Sequence, residues 1–583
     1  MKETLTRLLK YINERRKGLL IGLLVCVVLA AITSVLAYWF LSSLVDNFIT
    51  PLISMEDKTP GFQRLALALL GLTGVFLLGA LVTLIQGFSA AKLSHDIMYS
   101  LRNELFAKME RLPLKYFDNH TRGEVMSVYT NDIDALRLML SQGLPYLFSA
   151  IVTAVAMILA LFSLNIPLSL LGLALLVGVT ALSMKVIMSA RGHYTAQQER
   201  LGTLNGYVEE IMSGQKVVKV FHREETCKEE FQERNASLQK SAYQAVKYTG
   251  LISALNMQAG NLIFYLPFAV LCSVCVINGW GGMTIGKTIA FLSLAKTMNV
   301  PVVLASGQLY SCVTALAGAK RIFGMIDETP EEDQGTVSLN GKRPEGHIEL
   351  RHVDFSYVPG TPVLHDVTLT AKPGQKIAIV GTTGSGKTTI TNLLNRFYEI
   401  EKGEILIDGV SVQQYKKEEL RRMIGLVMQD THMFTGTILD NIRYGNPSLS
   451  DEDCIRAAEN ARASDFIERL PEGYHTVLTH DADTLAEGQR QLLNIARAVA
   501  SDAPVLILDE ATSSVDPRTE RLIQEGMDHL MEGRTSFVIA HRLATIKNSD
   551  CILVLDHGRI LESGNHEELM AKKGAYYRLY TST

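Results

Sequence analysis

An apolar strand, Ile377 to Val380, runs into Gly381-x-x-x-x-Gly386-Lys387-Thr388, and a helical pattern follows. That spacing suits phosphate. Glycines let backbone N–H groups close around phosphate oxygens, and the start of the next helix adds the positive end of its dipole. Lys387 reaches terminal phosphates and Thr388 can ligate Mg²⁺, with Gly384, Ser385 and Thr389 completing the loop. A chance glycine-rich turn would lack the strand before it and the helix after it. A second element, "PVLILDEATSSVD" (504–516), ends a short apolar strand on two acids. Asp509 is delivered to a metal, and Glu510 beside it orients or deprotonates an attacking water. His541, in "VIAHRL", ends another apolar strand and is placed to touch a γ-phosphate, although a lone strand-end histidine is more often structural.

These residues need a scaffold. Beyond residue 346, short β-branched runs alternate with helical patterns, which predicts an α/β domain over 347–583. The polar, breaker-rich stretch 328–346, "ETPEEDQGTVSLNGKRPEG", reads as a linker. The first 327 residues are of another kind: no charged residue lies between Arg137 and Lys185, and other charge-free runs cover 18–45, 65–91 and 248–286. With the long run split at "SLNIP" (163–167) and a last span starting near Thr288, the pattern predicts an all-α domain of six membrane spans. Lys and Arg cluster before the first span and after the second and fourth, so the N-terminus and the α/β domain are expected in the cytoplasm of a multi-pass cell-membrane protein. The connections 92–137 and 191–247 read as helices projecting into the cytosol, with tips expected at 114–124 and 202–210. Sequons at Asn119 and Asn235 fall on these arms, where glycosylation is not expected.

A chain of 583 residues with a formal net charge of −4 and no long Lys/Arg block argues against nucleic acid as a partner. Its seven scattered cysteines lack metal-ligand spacing; Cys272 and Cys275 form a C-x-x-C inside an apolar run, where packing is the simpler account. The apolar run after Lys17 is too long for a signal-peptide core.

Taken together, these residues resemble ATP-binding cassette exporters, in which six spans are fused to one nucleotide-binding domain. The resemblance spans essentially the whole chain. It implies that Tyr357 in "VDFSYVPG" stacks on adenine, that Gln429 in "LVMQDTHMF" touches both the metal and the membrane-domain helices, and that Ser514 and Asp516 form the D-loop. It also implies that His541 is the switch histidine, and that Thr388, Gln429 and Asp509 hold Mg²⁺ with ATP. The two tips correspond to coupling helices that dock on the cassettes.

In such exporters two cassettes close head to tail, and each ATP lies between the P-loop of one and the "LSGGQ" signature of the other. Here the signature reads Leu485, Ala486, Glu487, Gly488, Gln489. Ala486 removes a hydroxyl that would donate to the γ-phosphate, a loss of ~1.5–3 kcal/mol, and Glu487 turns a carboxylate toward an anion. Ala482 stands where a glycine is common; a neutral or introduced variant is the alternative reading of these changes. With Lys387, Asp509, Glu510 and His541 retained, the expectation is a chain that hydrolyses ATP once a second half-transporter presents an intact signature. That makes it one subunit of a heterodimeric exporter of amphipathic, drug- or lipid-like substrates, in contact with membrane lipids. A homodimeric lipid flippase and an ATP-gated channel or regulatory subunit are the alternatives. Gln86, Asn256, Gln258, Asn261, Lys296 and Asn299 are the polar residues within spans that could line a cavity, or bond helix to helix.

Overall fold

The computed structural model describes all residues except 1, 55–57, 259–264, 299, 340, 430, 480–481, 483, 510–515, 540–545 and 583, and not the side chains at 191, 249, 252–253, 255–258, 306, 310 and 582. The chain divides into two compact units, one formed by 1–110 and 121–328, the other by 111–120 and 329–583.

The first unit is helical throughout. Among the described residues five helices are long and apolar enough to cross a membrane: Lys2–Ile53, Thr59–Met109, Arg122–Leu164, Ile166–Ser213 and Ile285–Asp327. The remaining expected span is described on either side of 259–264, as Glu224–Gln258 and Leu266–Ile277. Large apolar side chains stay exposed along these helices, Leu67, Leu70, Leu77 and Phe88 among them, as suits surfaces solvated by lipid. The chain breaks between the third and fourth spans at Asn165, whose Oδ1 accepts from Leu168 N at 3.1 Å and so caps the next helix.

Basic residues of the N-terminal segment tie down the cytoplasmic ends. Arg15 Nη2 donates to Glu104 at 2.9 Å and Arg16 Nε to Asp96 at 2.8 Å, while Arg7 pairs with Asp327. At the opposite end, Asp46 accepts from Gly286 N at 2.8 Å and from Thr284 Oγ1 at 2.5 Å, capping the start of the sixth span. A Cβ at Gly286 would lie 2.3 Å from Ser42 O, so only glycine allows this approach. Of the polar span residues, Gln86 is half-buried and Lys296 Nζ sits 5.9 Å from the Tyr265 ring centroid. Asn261 and Asn299, and the side chains of Asn256 and Gln258, lie outside the described residues.

The tips differ from expectation in one respect. Within 114–124 the chain forms a short helix, Leu114–Asn119, then turns extended at His120 before Thr121 caps the next helix through a reciprocal pair of bonds with Glu124. No reversal occurs at 202–210, which lies inside the uninterrupted helix Ile166–Ser213. An isolated glycine in a helix costs only about 1 kcal/mol relative to alanine, and a helix of 48 residues absorbs Gly202 and Gly206. The turn comes later: Gly214 ends the helix, Gln215–Val220 forms one further turn and a half, and His222 takes a positive φ of 52°.

The second unit holds strands β1 (Ile348–Val358), β2 (Thr361–Ala371), β3 (Lys376–Gly381), β4 (Lys402–Ile407), β5 (Val410–Ser411) and β6 (Ile424–Val427). Later in the chain come β7 (Gly436–Thr437), β8 (Val477–Leu478), β9 (Val505–Asp509), β10 (Thr535–Ile539), β11 (Cys551–Asp556) and β12 (Arg559–Gly564). An antiparallel sheet has the order β2-β1-β4-β5, and a six-stranded sheet the order β12-β11-β3-β10-β9-β6, parallel except for β12. The parallel strands are buried on both faces: Ile377, Ile379, Val505, Ile507 and Phe537 pack into one layer, Ala378, Val380, Leu506, Leu508 and Val538 into the other. That two-sided burial explains their continuous apolar runs.

Candidate functional site

Parallel pairing sets the carboxyl ends of β3, β10 and β9 side by side, with Ile539 opposite both Ile379 and Asp509. This is the edge at which open α/β sheets take ligands. The chain leaves β3 at Gly381, and Gly384 (φ 80°) and Gly386 (φ 103°) then adopt left-handed backbone that side-chain-bearing residues avoid. Gly386 caps the helix Lys387–Leu394. A Cβ at Gly386 would meet Leu364 Cδ2 at 2.7 Å, whereas one at Gly384 would meet nothing within 4 Å, so the loop packs inward at one glycine and stays open at the other.

Lys387 Nζ donates to the carbonyls of Gly381 and Thr382 at 2.9 Å each, arching over the loop. Burial pulls its ammonium below the ordinary lysine value, and the charge of Asp509 acts in the opposite direction. The Ser385 hydroxyl is buried and makes no hydrogen bond, while Thr388 is exposed and Thr389 buried. An unmet buried hydroxyl at the base of a glycine loop is the kind of group a phosphate oxygen satisfies, so the residues fit a nucleotide. Asp509 ends β9, half-buried behind four fully buried residues. Glu510, Ser514 and His541 lie outside the described residues.

Tyr357 is half-buried, edge-on to Phe355 and Tyr398 with ring centroids 4.9 Å away in both cases. Its hydroxyl donates to Thr389 Oγ1 at 3.3 Å and accepts from Asn392 Nδ2 at 3.2 Å, which fastens the ring to the P-loop helix. Gln429 is exposed just after β6, and the Met428 carbonyl before it accepts from Asn494 Nδ2 at 3.2 Å.

The signature residues open the helix Glu487–Ser501. Ala486 occupies the capping position with extended backbone, and Gln489 Oε1 accepts from Ala486 N at 3.0 Å. That is half of a reciprocal cap. The other half needs an oxygen at residue 486, and a methyl group has none. Ala486 and Glu487 are exposed, Gly488 is buried and Gln489 half-buried. Glu487 suits the helix dipole and opposes an incoming phosphate. Ala482, fully buried, has φ 58°, the left-handed backbone natural to glycine. Asp516 caps its own helix, Pro517–Met531, accepting from the amides of Arg518 and Thr519 at 3.1 Å each; the Thr519 bond foremost holds its carboxyl below the usual range.

Sequence reasoning missed Arg497. It is half-buried on the signature helix, donating to Asn441 O at 3.0 Å and His432 O at 3.1 Å, and its guanidinium lies 5.4 Å from the exposed Tyr444 ring. Asn441 in turn bonds both backbone groups of Phe434 at 2.9 Å. Its partners lie 56 and 65 residues away in sequence, so no local spacing announces the contact.

Two family descriptions cover most of the chain: the ABC transporter transmembrane region matches residues 20–302 and the ABC transporter domain matches residues 364–513. The chain belongs to the ABC transporter family. The ABC transporter ATP-binding protein YfiC of Bacillus subtilis is 39% identical over 582 residues, covering 100% of this chain and 94% of that protein. A fatty acid ABC transporter ATP-binding/permease protein of Mycobacterium tuberculosis is 38% identical over 92% of this chain and 84% of its own length. An ATP-dependent lipid A-core flippase of Pseudomonas aeruginosa is 38% identical over 85% of this chain and 81% of its own. This ABC half-transporter is therefore an exporter-type, multi-pass membrane protein with a cytoplasmic ATP-binding domain, of the kind that works as a dimer.

Proposed function

We propose that this chain is the ATP-hydrolysing half of a heterodimeric exporter that moves hydrophobic or amphipathic, lipid- or drug-like molecules out of the cytoplasm. The observation that carries the heterodimer is the bare cap at Ala486: the helix start that should meet the partner's nucleotide offers a methyl and a carboxylate. The P-loop is complete by contrast. Lys387, poised over Gly381 and Thr382, exchanges carbonyl partners for terminal phosphate oxygens; Ser385 gains an acceptor; Tyr357 stacks on adenine. Thr388, Gln429 and Asp509 would hold Mg²⁺, which would neutralise negative charge on the phosphates. Glu510 orients the attacking water and His541 contacts the γ-phosphate. Closure of two cassettes is favoured because ATP binds the closed state better, and the tips carry that motion to the spans. The exposed apolar residues Met212, Val217, Val220 and Phe221 around the second turn support a docking role for that tip.

The test is stoichiometric. Purified alone, the chain is expected to hydrolyse ATP slowly, and co-purified with a second half-transporter much faster; equal rates refute the heterodimer. The relative named as a lipid A-core flippase favours a second reading, a self-paired lipid flippase. Lipid-stimulated turnover by the chain alone would select it.

A further inference from the structure

The contacts around Tyr357 extend beyond the P-loop helix. Residues Arg111–His120 belong to the same compact unit as the cassette and are fastened at both ends. Glu331 N donates to Arg111 O at 2.7 Å, and Glu331 is itself fixed by Lys417 at 3.1 Å and by Arg421. At the other end the Tyr398 hydroxyl donates to the Asp118 carboxylate, on the helix Leu114–Asn119. The Tyr398 ring stands perpendicular to Tyr357, at 4.9 Å and 90°, and Phe355 completes the cluster 5.8 Å from Tyr398. We propose that Tyr398 is a positioning residue that passes the seating of adenine at Tyr357 to the helix Leu114–Asn119 through its hydrogen bond to Asp118. The inference rests on the reading of Tyr357 as the base-stacking aromatic.

The physics favours transmission over independent motion. Edge-to-face ring pairs hold their mutual orientation, so a Tyr357 ring that tilts onto a base shifts the ring standing edge-on to it. A phenol-to-carboxylate bond is short and directional, and carries that shift to Asp118. Burial and then the Asp118 carboxylate push the Tyr398 phenol upward from its ordinary value, so the hydroxyl stays a donor throughout the physiological range. Beside the contact lies a cavity of about 560 Å³ lined by Lys115, Glu331, Tyr357, Tyr398 and Glu399, which gives the rings room to move. Tyr398 and Asp118 are 280 residues apart in sequence, so only the fold brings them together.

The test uses the full chain in the assembly in which it purifies, with Tyr398→Phe, Asp118→Asn, their double variant and Tyr357→Ala. Two quantities are read: the affinity for a non-hydrolysable ATP analogue, and the hydrogen-exchange protection that the analogue confers on residues 111–120. Tyr398→Phe keeps the ring and hence the packing. It is expected to leave affinity within about twofold while abolishing the added protection, with the double variant no worse than either single one. Tyr357→Ala is expected to weaken affinity about tenfold or more, the scale of a lost base–aromatic stack. Undiminished protection in both Tyr398→Phe and Asp118→Asn, with affinity lost in Tyr357→Ala, overturns the relay alone. Undiminished affinity in Tyr357→Ala overturns the adenine reading, and the relay with it.

Discussion

The P-loop helix begins at Gly386 with a buried lysine, Lys387, in its first position, whereas the signature helix begins at Ala486 with an exposed glutamate, Glu487, in the same place. Both are helix starts of the kind that bind anions through free N–H groups and the dipole. The first adds a cation and left-handed glycines that let the backbone wrap the ligand. The second presents a methyl group where a hydroxyl would cap its amides, followed by a negative charge. A helix dipole alone, worth about 0.3–1 kcal/mol, does not offset a full carboxylate beside a triphosphate. Two helix starts on one polypeptide thus differ in what they can offer an anion, and the heterodimer proposed above rests on that difference.

The comparison breaks most visibly at Lys387. Lys387→Ala should lower ATP turnover by about 100- to 1000-fold, the scale of losing one preorganised charge stabiliser; a coupled ATPase assay that found a loss under tenfold would dissolve the contrast. Next in size, Ala486→Ser combined with Glu487→Gly should restore a donor worth ~1.5–3 kcal/mol, speeding hydrolysis at the nucleotide this chain's signature faces by about 10- to 100-fold. Single-turnover rates measured before and after would decide it. Ala482→Gly should stabilise the cassette by about 1 kcal/mol, because residue 482 is held in left-handed backbone, and thermal unfolding would register the gain.

The smallest effect is acid sensitivity at Glu331. Burial would raise its carboxyl, but hydrogen bonds from Arg421 and Lys417 outweigh that and pull it below the usual range. Such a group adds stability above its unfolded value and loses it as pH falls through the folded one. Unfolding midpoints of the native chain should thus drop on acidification in that window, and Glu331→Gln should flatten the slope.

Legibility followed the range of the interaction. The P-loop could be read because strand, glycines, lysine and helix are contiguous, and the left-handed angles of Gly384 and Gly386 are what that pattern demands. The flag on Ala482 likewise met a backbone made for glycine. The second tip was misplaced because Gly202 and Gly206 look like breakers, yet propensity yields to packing within a long helix, and the chain turned at Gly214. Asp516 also caps its own helix start, a local bond separate from the D-loop contact that the resemblance implies. Arg497 with Asn441, and Tyr398 with Asp118, join residues distant in sequence, and no local pattern encodes such a pairing.

Asp46 and Gly286 stitch the first and sixth helices together at the face away from the cytoplasm, through a carboxylate on one backbone and a residue without a side chain on the other. Parting those helices exposes a cap that water can replace, so the stitch is reversible. A methyl group at residue 286 would wedge the seam ajar. The molecule thus carries, where its first and sixth helices meet, a seam whose hydrogen bonds can be exchanged for water and re-formed unaided.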